Sequence, residues 1–416
     1  MPRTVHIIGG GLAGLAAAVK LAASPATIAL HEAAAMPGGR CRSYQDHATG
    51  LLIDNGNHLL LTGNHAAFTY ARTIGSEKLL VGPEKAEFAF FDLANRQSWT
   101  LHLNDGRFPW WIFNADHRVP GTNPLDYLRL ARLLFAKDRP IGDVIDCDGP
   151  LYEKLLAPLL TAALNTEPRE ASAALAGAVI RETLARGGAE CRPRIARDGL
   201  GTAFVTPALA YLAKAGASVR LSHEIRALRY DGDRVTGLDF GGADFVAIEP
   251  QDAVIMAAPA FAAAALVPGI RAPTAFRAIL NTHFRAESPQ GMPPLIGVLN
   301  GISEWVFAFP GRISVTTSNA DRFMNEPREK LADTIWREVC AVTGLSGDRP
   351  AWQIVRERRA TFAATPEENA KRPAAETAWR NLFLAGDWTA TGLPATIEGA
   401  IRSGNRAADL VLAYQR

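Results

Sequence analysis

Three glycines early in the chain have the spacing of a loop that binds the diphosphate of a dinucleotide. Gly9, Gly11 and Gly14 follow an apolar strand and open an apolar helix. The first glycine makes the tight turn, the second lets the backbone approach the diphosphate, and the third lets the helix pack closely on the strand. The amides of Leu12 and Ala13 then face the anion at the positive end of the helix dipole.

A carboxylate at the end of the next predicted strand completes this pattern. Glu32 directly follows the apolar run at residues 27–31 and can accept hydrogen bonds from the adenosine ribose. A further strand is predicted at residues 216–221, and Ile225 after it would offer backbone contacts to the adenine. A glycine-rich turn on an ordinary surface helix is the simpler alternative, but it leaves the following strand and acid unexplained.

Two further stretches distinguish a flavin site from a nicotinamide site. Residues 38–43 and 54–58 resemble the GGRxxS and DxGxH motifs of the amine oxidase and phytoene desaturase superfamily, which implies FAD as the cofactor. The two glycines would let a loop pass over the cofactor, with Arg40 supplying charge. The resemblance implies cofactor contacts for five residues: Gly39, Arg40, Gly56, Asn57 and His58.

The second half of the flavin site is predicted near the other end of the sequence. The apolar run 381–384 leads into Gly386 and Asp387, and Asp387 is expected to hold the flavin ribityl chain. Pro394 then opens a helix predicted from about residue 397 towards 413. Its N-terminus would direct a positive dipole end at the flavin, where negative charge develops on reduction. The residues expected at that N-terminus are Ala395, Thr396 and Ile397.

A narrower resemblance depends on three C-terminal stretches. Residues 359–366, 384–389 (LAGDWT) and 391–400 (TGLPATIEGA) are similar to the squalene-associated FAD-dependent desaturase family of bacterial hopanoid pathways. Its members are understood as hydroxysqualene dehydroxylases. The family implies loss of the allylic hydroxyl of hydroxysqualene, with hydride delivery from reduced FAD, to give squalene for hopanoid biosynthesis.

The placement of these motifs predicts a two-lobed α/β (α+β) protein with a Rossmann-like FAD-binding domain of the amine oxidase type. That domain is expected to be discontinuous, built from residues 1–76, 200–268 and 375–416. The substrate lobe would comprise residues 77–199 and 269–374, with a helical insertion around 125–186 and a β-rich one around 272–373. A chain of 416 residues is long enough for both lobes.

Composition excludes several classes of function. The net charge is +2 with 21% charged residues, so no nucleic-acid partner is expected. The nine histidines have no metal-type helical spacing, and Asp143, Asp146 and Asp148 lack the second acidic cluster of a magnesium diphosphate site, so no metal is expected. The four cysteines are scattered, as in a cytoplasmic protein with reduced thiols. We expect a cytoplasmic location without a secretion signal.

Two apolar stretches suggest peripheral contact with the inner face of the cytoplasmic membrane. The run from Phe108 to Phe113 is dense in aromatic residues, and the stretch from Leu125 to Lys137 reads as a cationic amphipathic helix. A core strand followed by a surface helix explains the pattern about as well, and the C30 isoprenoid substrate implied by the family favours the membrane. Pathway enzymes are further candidate partners.

Loss of a hydroxyl requires a general acid, and three residues are candidates. His58 has an ordinary pKa of about 6.5 that suits proton donation. Glu398 and Tyr152 are the others, and each of the three can instead be structural. Trp388 could contribute π-electron density to a cation beside the flavin.

Three functions are consistent with these residues. The first is the reductive dehydroxylase, and the second is an oxidative FAD desaturase or amine oxidase acting on another apolar substrate. The third is a prenyl-lipid escort protein of the same fold without flavin chemistry. No separate nicotinamide site is visible in the sequence, so NAD(P)H is expected to act transiently or through a partner.

Overall fold

The structure, a computed structural model, describes residues 3–414. Its strands, in chain order, are β1 (Thr4–Ile8), β2 (Thr27–His31), β3 (Ser43–Asp46), β4 (Leu51–Asp54), β5 (Leu60–Leu61), β6 (Leu80–Val81), β7 (Ala86–Asp92), β8 (Gln97–Leu103), β9 (Pro193–Ala196), β10 (Ser218–Arg220), β11 (Ala227–Asp231), β12 (Arg234–Gly241), β13 (Asp244–Ala247), β14 (Ala253–Met256), β15 (Phe276–Phe284), β16 (Leu295–Leu299), β17 (Trp305–Phe309), β18 (Arg312–Thr317), β19 (Trp352–Phe362) and β20 (Leu382–Leu384).

The helices lie between these strands and after the last of them. They are α1 (Leu12–Leu21), α2 (His65–Thr73), α3 (Leu128–Leu134), α4 (Gly149–Leu151), α5 (Ala157–Leu164), α6 (Ala173–Glu182), α7 (Thr206–Lys214), α8 (Ala260–Leu266), α9 (Arg328–Thr343), α10 (Pro366–Asn369) and α11 (Ile397–Ala413).

A five-stranded parallel sheet in the order β10-β2-β1-β14-β20 forms the centre of one lobe. Val5 of β1 aligns with Ile28 of β2 on one side and with Ala253 of β14 on the other. β1, β14 and β20 are largely apolar and almost entirely buried, as expected for parallel strands covered on both faces, whereas the edge strand β10 is mostly exposed. The predicted α/β class and Rossmann-like arrangement are therefore confirmed.

The second lobe is built on a seven-stranded sheet in the order β19-β15-β18-β17-β16-β7-β8. Only β16 and β7 pair in parallel; the other neighbours are antiparallel. A helical segment containing α3 to α6 precedes the return of the chain to the first lobe.

The discontinuous domain division is supported by the origin of the strands. All strands of the parallel sheet come from within residues 1–76, 200–268 and 375–416, and all strands of the seven-stranded sheet come from 77–199 and 269–374. We retain that division as a proposal. Residues 1–2 and 415–416 of its outer ranges lie outside the described residues.

The stretch from Leu125 to Lys137 differs from the single helix that was expected. Asn123 caps a 3-10 turn at Pro124–Tyr127, with its side chain accepting a hydrogen bond from the Leu125 amide at 3.0 Å. The α-helical part is limited to α3, which ends before Phe135. The aromatic run before it forms a further 3-10 turn at Trp110–Phe113 rather than a core strand.

No helix within residues 3–414 combines the length and apolar character required to cross a membrane. The uncharged stretch 253–270, which sequence length alone would allow as a span, is divided between β14 and α8.

Candidate functional site

The glycine-rich loop has the tight geometry that its spacing predicts. Gly9 has a φ of +110°, and a Cβ there would lie 2.7 Å from the carbonyl oxygen of Ala257. A Cβ on Gly14 would lie 2.0 Å from the carbonyl oxygen of Gly9, so only glycine lets α1 pack this closely on β1. Gly11 is different, because a Cβ there would have no heavy atom within 4 Å. Its Cα therefore faces open space at the N-terminus of α1.

Glu32 is fixed beside this loop by backbone amides. Its Oε2 accepts a hydrogen bond from the Gly10 amide at 2.7 Å, and its Oε1 accepts one from the Ala34 amide at 2.7 Å. Carboxylate oxygens have further lone pairs, so the same group can still accept from ribose hydroxyls.

The second glycine pair packs directly against the first loop. Gly38 donates from its amide to the Gly10 carbonyl at 2.8 Å, and both Gly38 and Gly39 have positive φ, at +102° and +54°. The Cβ position of Gly39 lies only 3.5 Å from the Cα of Gly11. The loop that begins the GGRxxS stretch thus lies at the predicted diphosphate position.

Arg40 joins the two halves of the predicted site. Its Nη2 donates to Oδ1 of Asp387 at 2.8 Å, and its Nη1 donates to the carbonyl oxygen of Ala360 at 2.5 Å. Burial opposes the charge of Arg40, but the carboxylate of Asp387 outweighs it and raises the guanidinium pKa. The side chain nevertheless keeps 43% of its surface accessible.

The C-terminal elements complete the site. Gly386, at φ +146°, donates from its amide to Oγ of Ser403 at 2.8 Å, and Asp387 is buried beside it. Thr396 caps α11 by accepting from the Gly399 amide at 3.0 Å, so Ala395 and Ile397 flank a regular helix N-terminus.

α11 packs directly against α1. A Cβ on Gly404 would lie 2.1 Å from the carbonyl oxygen of Ala13. Ala13 and Leu12 are themselves buried in the first turn of α1. The two glycine-rich halves of the sequence are therefore in direct contact.

The segment that carries Ile225 is tied to the ribose end of the site. His223 donates from its amide to the Glu32 carbonyl at 2.8 Å, and Ser222 donates to the carbonyl of Ala34 at 3.0 Å. The imidazole of His223 also contacts His31, with the Nδ1 atoms 2.9 Å apart. Ile225 follows two residues later and is partly buried.

Gly56 and Asn57 are held in place by the second lobe. Oδ1 of Asn281 on β15 accepts from the Asn57 amide at 3.2 Å, and the Asn57 side chain donates to Oγ1 of Thr316 on β18 at 3.2 Å. This segment therefore lies where the two lobes meet.

His58 is close to the Arg40 and Asp387 pair. Desolvation by burial, together with the charge of Arg40, lowers the pKa of His58 to about 4, with a smaller opposing influence of Asp387. Its imidazole is partly accessible, and Nε2 lies 3.6 Å from the Cβ position of Gly56. At neutral pH the ring is therefore uncharged, in contrast with the ordinary pKa assumed from the sequence.

Glu398 has a structural position instead of a free carboxyl group. Its Oε1 and Oε2 accept from the amides of Ala66 and Ala67 at 3.1 and 2.9 Å, at the N-terminus of α2. Arg402 donates to Oε1 at 2.7 Å. Both oxygens are thus occupied, and the residue joins α11 to α2.

Tyr152 also has contacts of its own. It is buried in the helical segment before α5, its hydroxyl contacts the thiol of Cys147, and Arg169 lies over its ring at 6.0 Å. Burial, followed by the influence of Cys147, raises its phenol pKa. Neither Glu398 nor Tyr152 belongs to the cluster of Arg40, His58 and Asp387.

Two contributions to the site had no clear signal in the sequence, and Trp388, which the sequence suggested as a partner of a cation, has another role. The Ala360 carbonyl and the Ser403 hydroxyl act through atoms whose direction depends on the tertiary fold. Trp388 is buried and donates from Nε1 to the carbonyl of Ala258 at 3.0 Å, and it packs on Gly386. It supports the flavin loop instead of facing open space.

Comparison with known proteins identifies the family. The model for flavin containing amine oxidoreductases matches residues 12–412. The chain belongs to this family. It is 60% identical to the hydroxysqualene dehydroxylase of Rhodopseudomonas palustris, with 100% of each chain covered. It is 55% identical to the hydroxysqualene dehydroxylase of Sinorhizobium fredii, with 99% of each covered.

The solved structures are more distant and show the fold. Cyclohexylamine oxidase from Brevibacterium oxydans has a TM-score of 0.73 at 15% identity, with 100% of each chain covered. The predicted superfamily, flavin cofactor and enzyme class are confirmed, and the protein is an FAD-dependent oxidoreductase.

The residues present fit FAD. Gly11 leaves open space at a helix N-terminus, Glu32 is fixed directly after β2, and Arg40 keeps 43% of its side-chain surface accessible while it is bound to Asp387. An anion, a ribose and a polar ring edge would meet suitable partners at these three places.

Proposed function

We propose that this protein is an FAD-dependent hydroxysqualene dehydroxylase that produces squalene for hopanoid biosynthesis. The observation that carries the proposal is 60% identity, over 100% of each chain, to a protein of that name. The substrate would be an allylic alcohol of a C30 isoprenoid.

The reaction replaces a carbon–oxygen bond by a carbon–hydrogen bond. The hydroxyl leaves with one added proton as water, the allylic carbon becomes a delocalised cation, and a hydride restores a neutral hydrocarbon. When bound and reduced, FAD supplies that hydride and is reoxidised. The carbon skeleton is thus reduced by two electrons.

His58 is the proposed proton donor to the leaving hydroxyl. It lies near Arg40 and Asp387, whereas the carboxylate of Glu398 is occupied at the N-terminus of α2. Because its pKa is lowered to about 4, the imidazolium form is a minor species at neutral pH but a strong acid when it forms.

The Arg40 and Asp387 pair limits the electrostatic cost of a substrate cation. A lone guanidinium would repel positive charge developing nearby. Its bond to Asp387 at 2.8 Å makes the pair neutral overall. Arg40 can therefore present N–H donors to the cofactor without adding a net charge.

An anaerobic single-turnover experiment tests the proposed reaction. The purified FAD-loaded protein is reduced, hydroxysqualene is added, and flavin absorbance is followed while the lipid is identified by mass spectrometry. We expect stoichiometric squalene together with oxidised flavin, because each hydroxyl lost requires one hydride.

Unchanged flavin and lipid would contradict the dehydroxylase, provided that a micelle control shows delivery of substrate. Oxidised protein that desaturates an isoprenoid would identify the oxidative desaturase. A purified chain that cannot hold FAD would favour the lipid escort.

We also propose that the protein contacts the membrane through the surface from Phe108 to Phe113 and from Leu125 to Lys137. Phe108, Trp110 and Phe113 are all exposed, with Trp110 keeping 65% of its surface, and their rings pack on one another. Exposed aromatic clusters of this kind are typical of interaction sites and membrane interfaces. Flotation with phosphatidylcholine vesicles measures this contact, and a protein that never floats would contradict it.

A further inference from the structure

A cationic groove lies at the C-terminal end of α3. It is open, has a volume of about 600 Å³, and combines three cations with three apolar residues: Arg132, Phe135, Ala136, Lys137, Arg139 and Val144. We infer that this groove binds the phosphate headgroup of an anionic phospholipid. The inference extends the proposed function, since an enzyme acting on a C30 isoprenoid takes its substrate from a lipid phase.

The three cations are available for a ligand. Within residues 3–414, the side chains of Arg132, Lys137 and Arg139 are exposed and take part in no ion pair or hydrogen bond with another residue. By contrast Arg129, the other arginine of α3, is bound to Asp148 at 3.3 Å.

The acidic residue nearest in sequence to these cations is hydrogen-bonded to other residues. Asp138, between two of the cations, accepts from Oγ of Ser172 at 2.5 Å and from Nδ2 of Asn369 at 2.7 Å. Both of its oxygens are engaged there, and within residues 3–414 it forms no ion pair with Lys137 or Arg139. Two guanidinium groups and an ammonium group around one groove match a phosphate, which guanidinium groups bind with paired N–H donors.

An apolar surface adjoins these cations on the same side of the helix. Leu128 and Arg132 are four residues apart and lie on one face of α3. Both are exposed, as are Leu125 in the preceding 3-10 turn and Phe135 directly after the helix. Phe135 keeps 87% of its surface. The opposite face is anchored in the core by Tyr127 and Leu133.

The aromatic turn belongs to the same surface. Trp111, buried under the exposed ring cluster, packs edge-on against Tyr127 with ring centroids 5.0 Å apart. Apolar groups that enter the acyl region therefore lie beside cations at headgroup depth. A soluble phosphate would use the cations and leave the apolar surface in water, so a phospholipid accounts for both.

Vesicle flotation with a triple variant tests the inference. The FAD-loaded protein is compared with Arg132→Gln/Lys137→Gln/Arg139→Gln on vesicles of phosphatidylcholine alone and of phosphatidylcholine with phosphatidylglycerol. We expect phosphatidylglycerol to tighten binding of the wild type and the triple variant to lose about 100-fold of affinity for those vesicles, since each cation contributes near an anionic surface. Weak binding to phosphatidylcholine should be kept, because the aromatic rings are unchanged.

A matched variant separates a site from general charge. Lys85→Gln/Arg96→Gln/Lys214→Gln removes the same charge from exposed positions outside the groove. Equal loss in both variants, or none in the groove variant, would overturn the inference. Competition by glycerol 3-phosphate for vesicle binding, at constant ionic strength, would also overturn the inference, since that result identifies a site for a free phosphate.

Turnover in neutral detergent micelles distinguishes this inference from the proposed function. We expect the groove variant to keep wild-type turnover of dispersed hydroxysqualene. If the wild type itself turns over no hydroxysqualene yet keeps its preference for phosphatidylglycerol, the proposed function fails and the lipid site stands.

Discussion

The protonation state of His58 links its surroundings to the proposed chemistry. Its pKa of about 4 arises first from burial and then from the charge of Arg40. Above about pH 4, the protonated fraction of a group with this pKa falls tenfold with each pH unit. The rate of a reaction that uses the imidazolium form of His58 should show the same dependence on pH.

We predict that turnover falls as pH rises from 6 to 8 and that His58→Gln removes this slope. The variant keeps an N–H donor of similar size but has no titrating group, so the rate should drop at least about 100-fold at pH 6. Single-turnover rates of the FAD-loaded proteins measure both effects, and FAD content is the control for site integrity.

Tyr152→Phe is the control variant for the prediction on His58. Its hydroxyl contacts Cys147 in the helical segment, so the substitution should leave the pH profile unchanged. A His58→Gln variant with the wild-type profile, or a Tyr152→Phe variant without it, would contradict the assignment of the acid.

At the scale of elements, the contact between α1 and α11 holds the two halves of the proposed flavin site together. Gly404 lies where a Cβ would be 2.1 Å from the Ala13 carbonyl oxygen, and that atom is backbone and cannot rotate away. Any side chain at Gly404 must therefore push the helices apart.

We predict that Gly404→Ala lowers both FAD affinity and thermal stability, by more than about 1 kcal/mol in the free energy of unfolding. Isothermal titration of the apoprotein with FAD measures the first effect and thermal unfolding the second. Asn405→Ala, one position along the same helix, should leave both close to wild type, and equal behaviour of the two variants would count against the packing argument.

Local patterns predict these elements well where backbone chemistry dominates. The glycine spacing indicated β1, the turn and α1, and Pro394 with Thr396 marked the start of α11. The stretch from Leu125 to Lys137 was less predictable. Its apolar residues lie on two faces, one buried and one exposed, so a pattern with one apolar face does not describe it.

At the scale of the whole molecule, buried histidines connect stability to pH. Burial is the first cause that lowers the pKa values of His31 and His283 to about 3, and both residues are almost fully buried. In the unfolded chain their pKa is about 6.5. Between these values the unfolded state binds more protons, so stability is fully present above pH 6.5 and is lost as pH falls.

We predict that the free energy of unfolding of the FAD-loaded protein decreases steadily from pH 6.5 to 4.5. Each such histidine contributes at most about 1.4 kcal/mol per pH unit. Urea unfolding at several pH values measures the slope, which should be shallower in His283→Gln and unchanged in a variant of the exposed His47. If His283→Gln has the same pH slope as the wild type, the slope does not arise from this buried histidine.

Contacts between segments that are far apart along the chain could not be predicted from the sequence. The Arg40 and Asp387 pair joins residues 347 positions apart, and Glu398 binds amides of α2 from the first turn of α11. A carboxylate in a conspicuous motif looks the same in sequence whether it faces a substrate or caps a helix. Only the packing of the two halves distinguishes these roles.

The strand order of the parallel sheet also has a consequence for biosynthesis. β20 is the edge strand beside β14, and α11 follows β20 and packs against α1. A ribosome therefore releases the diphosphate loop long before it makes Asp387 and the helix that supports it. If Asp387 and α11 hold FAD as proposed, we expect FAD capture to follow translation of residues 387–413, and until then the nascent chain exposes an unfinished sheet edge to the chaperones of the cell.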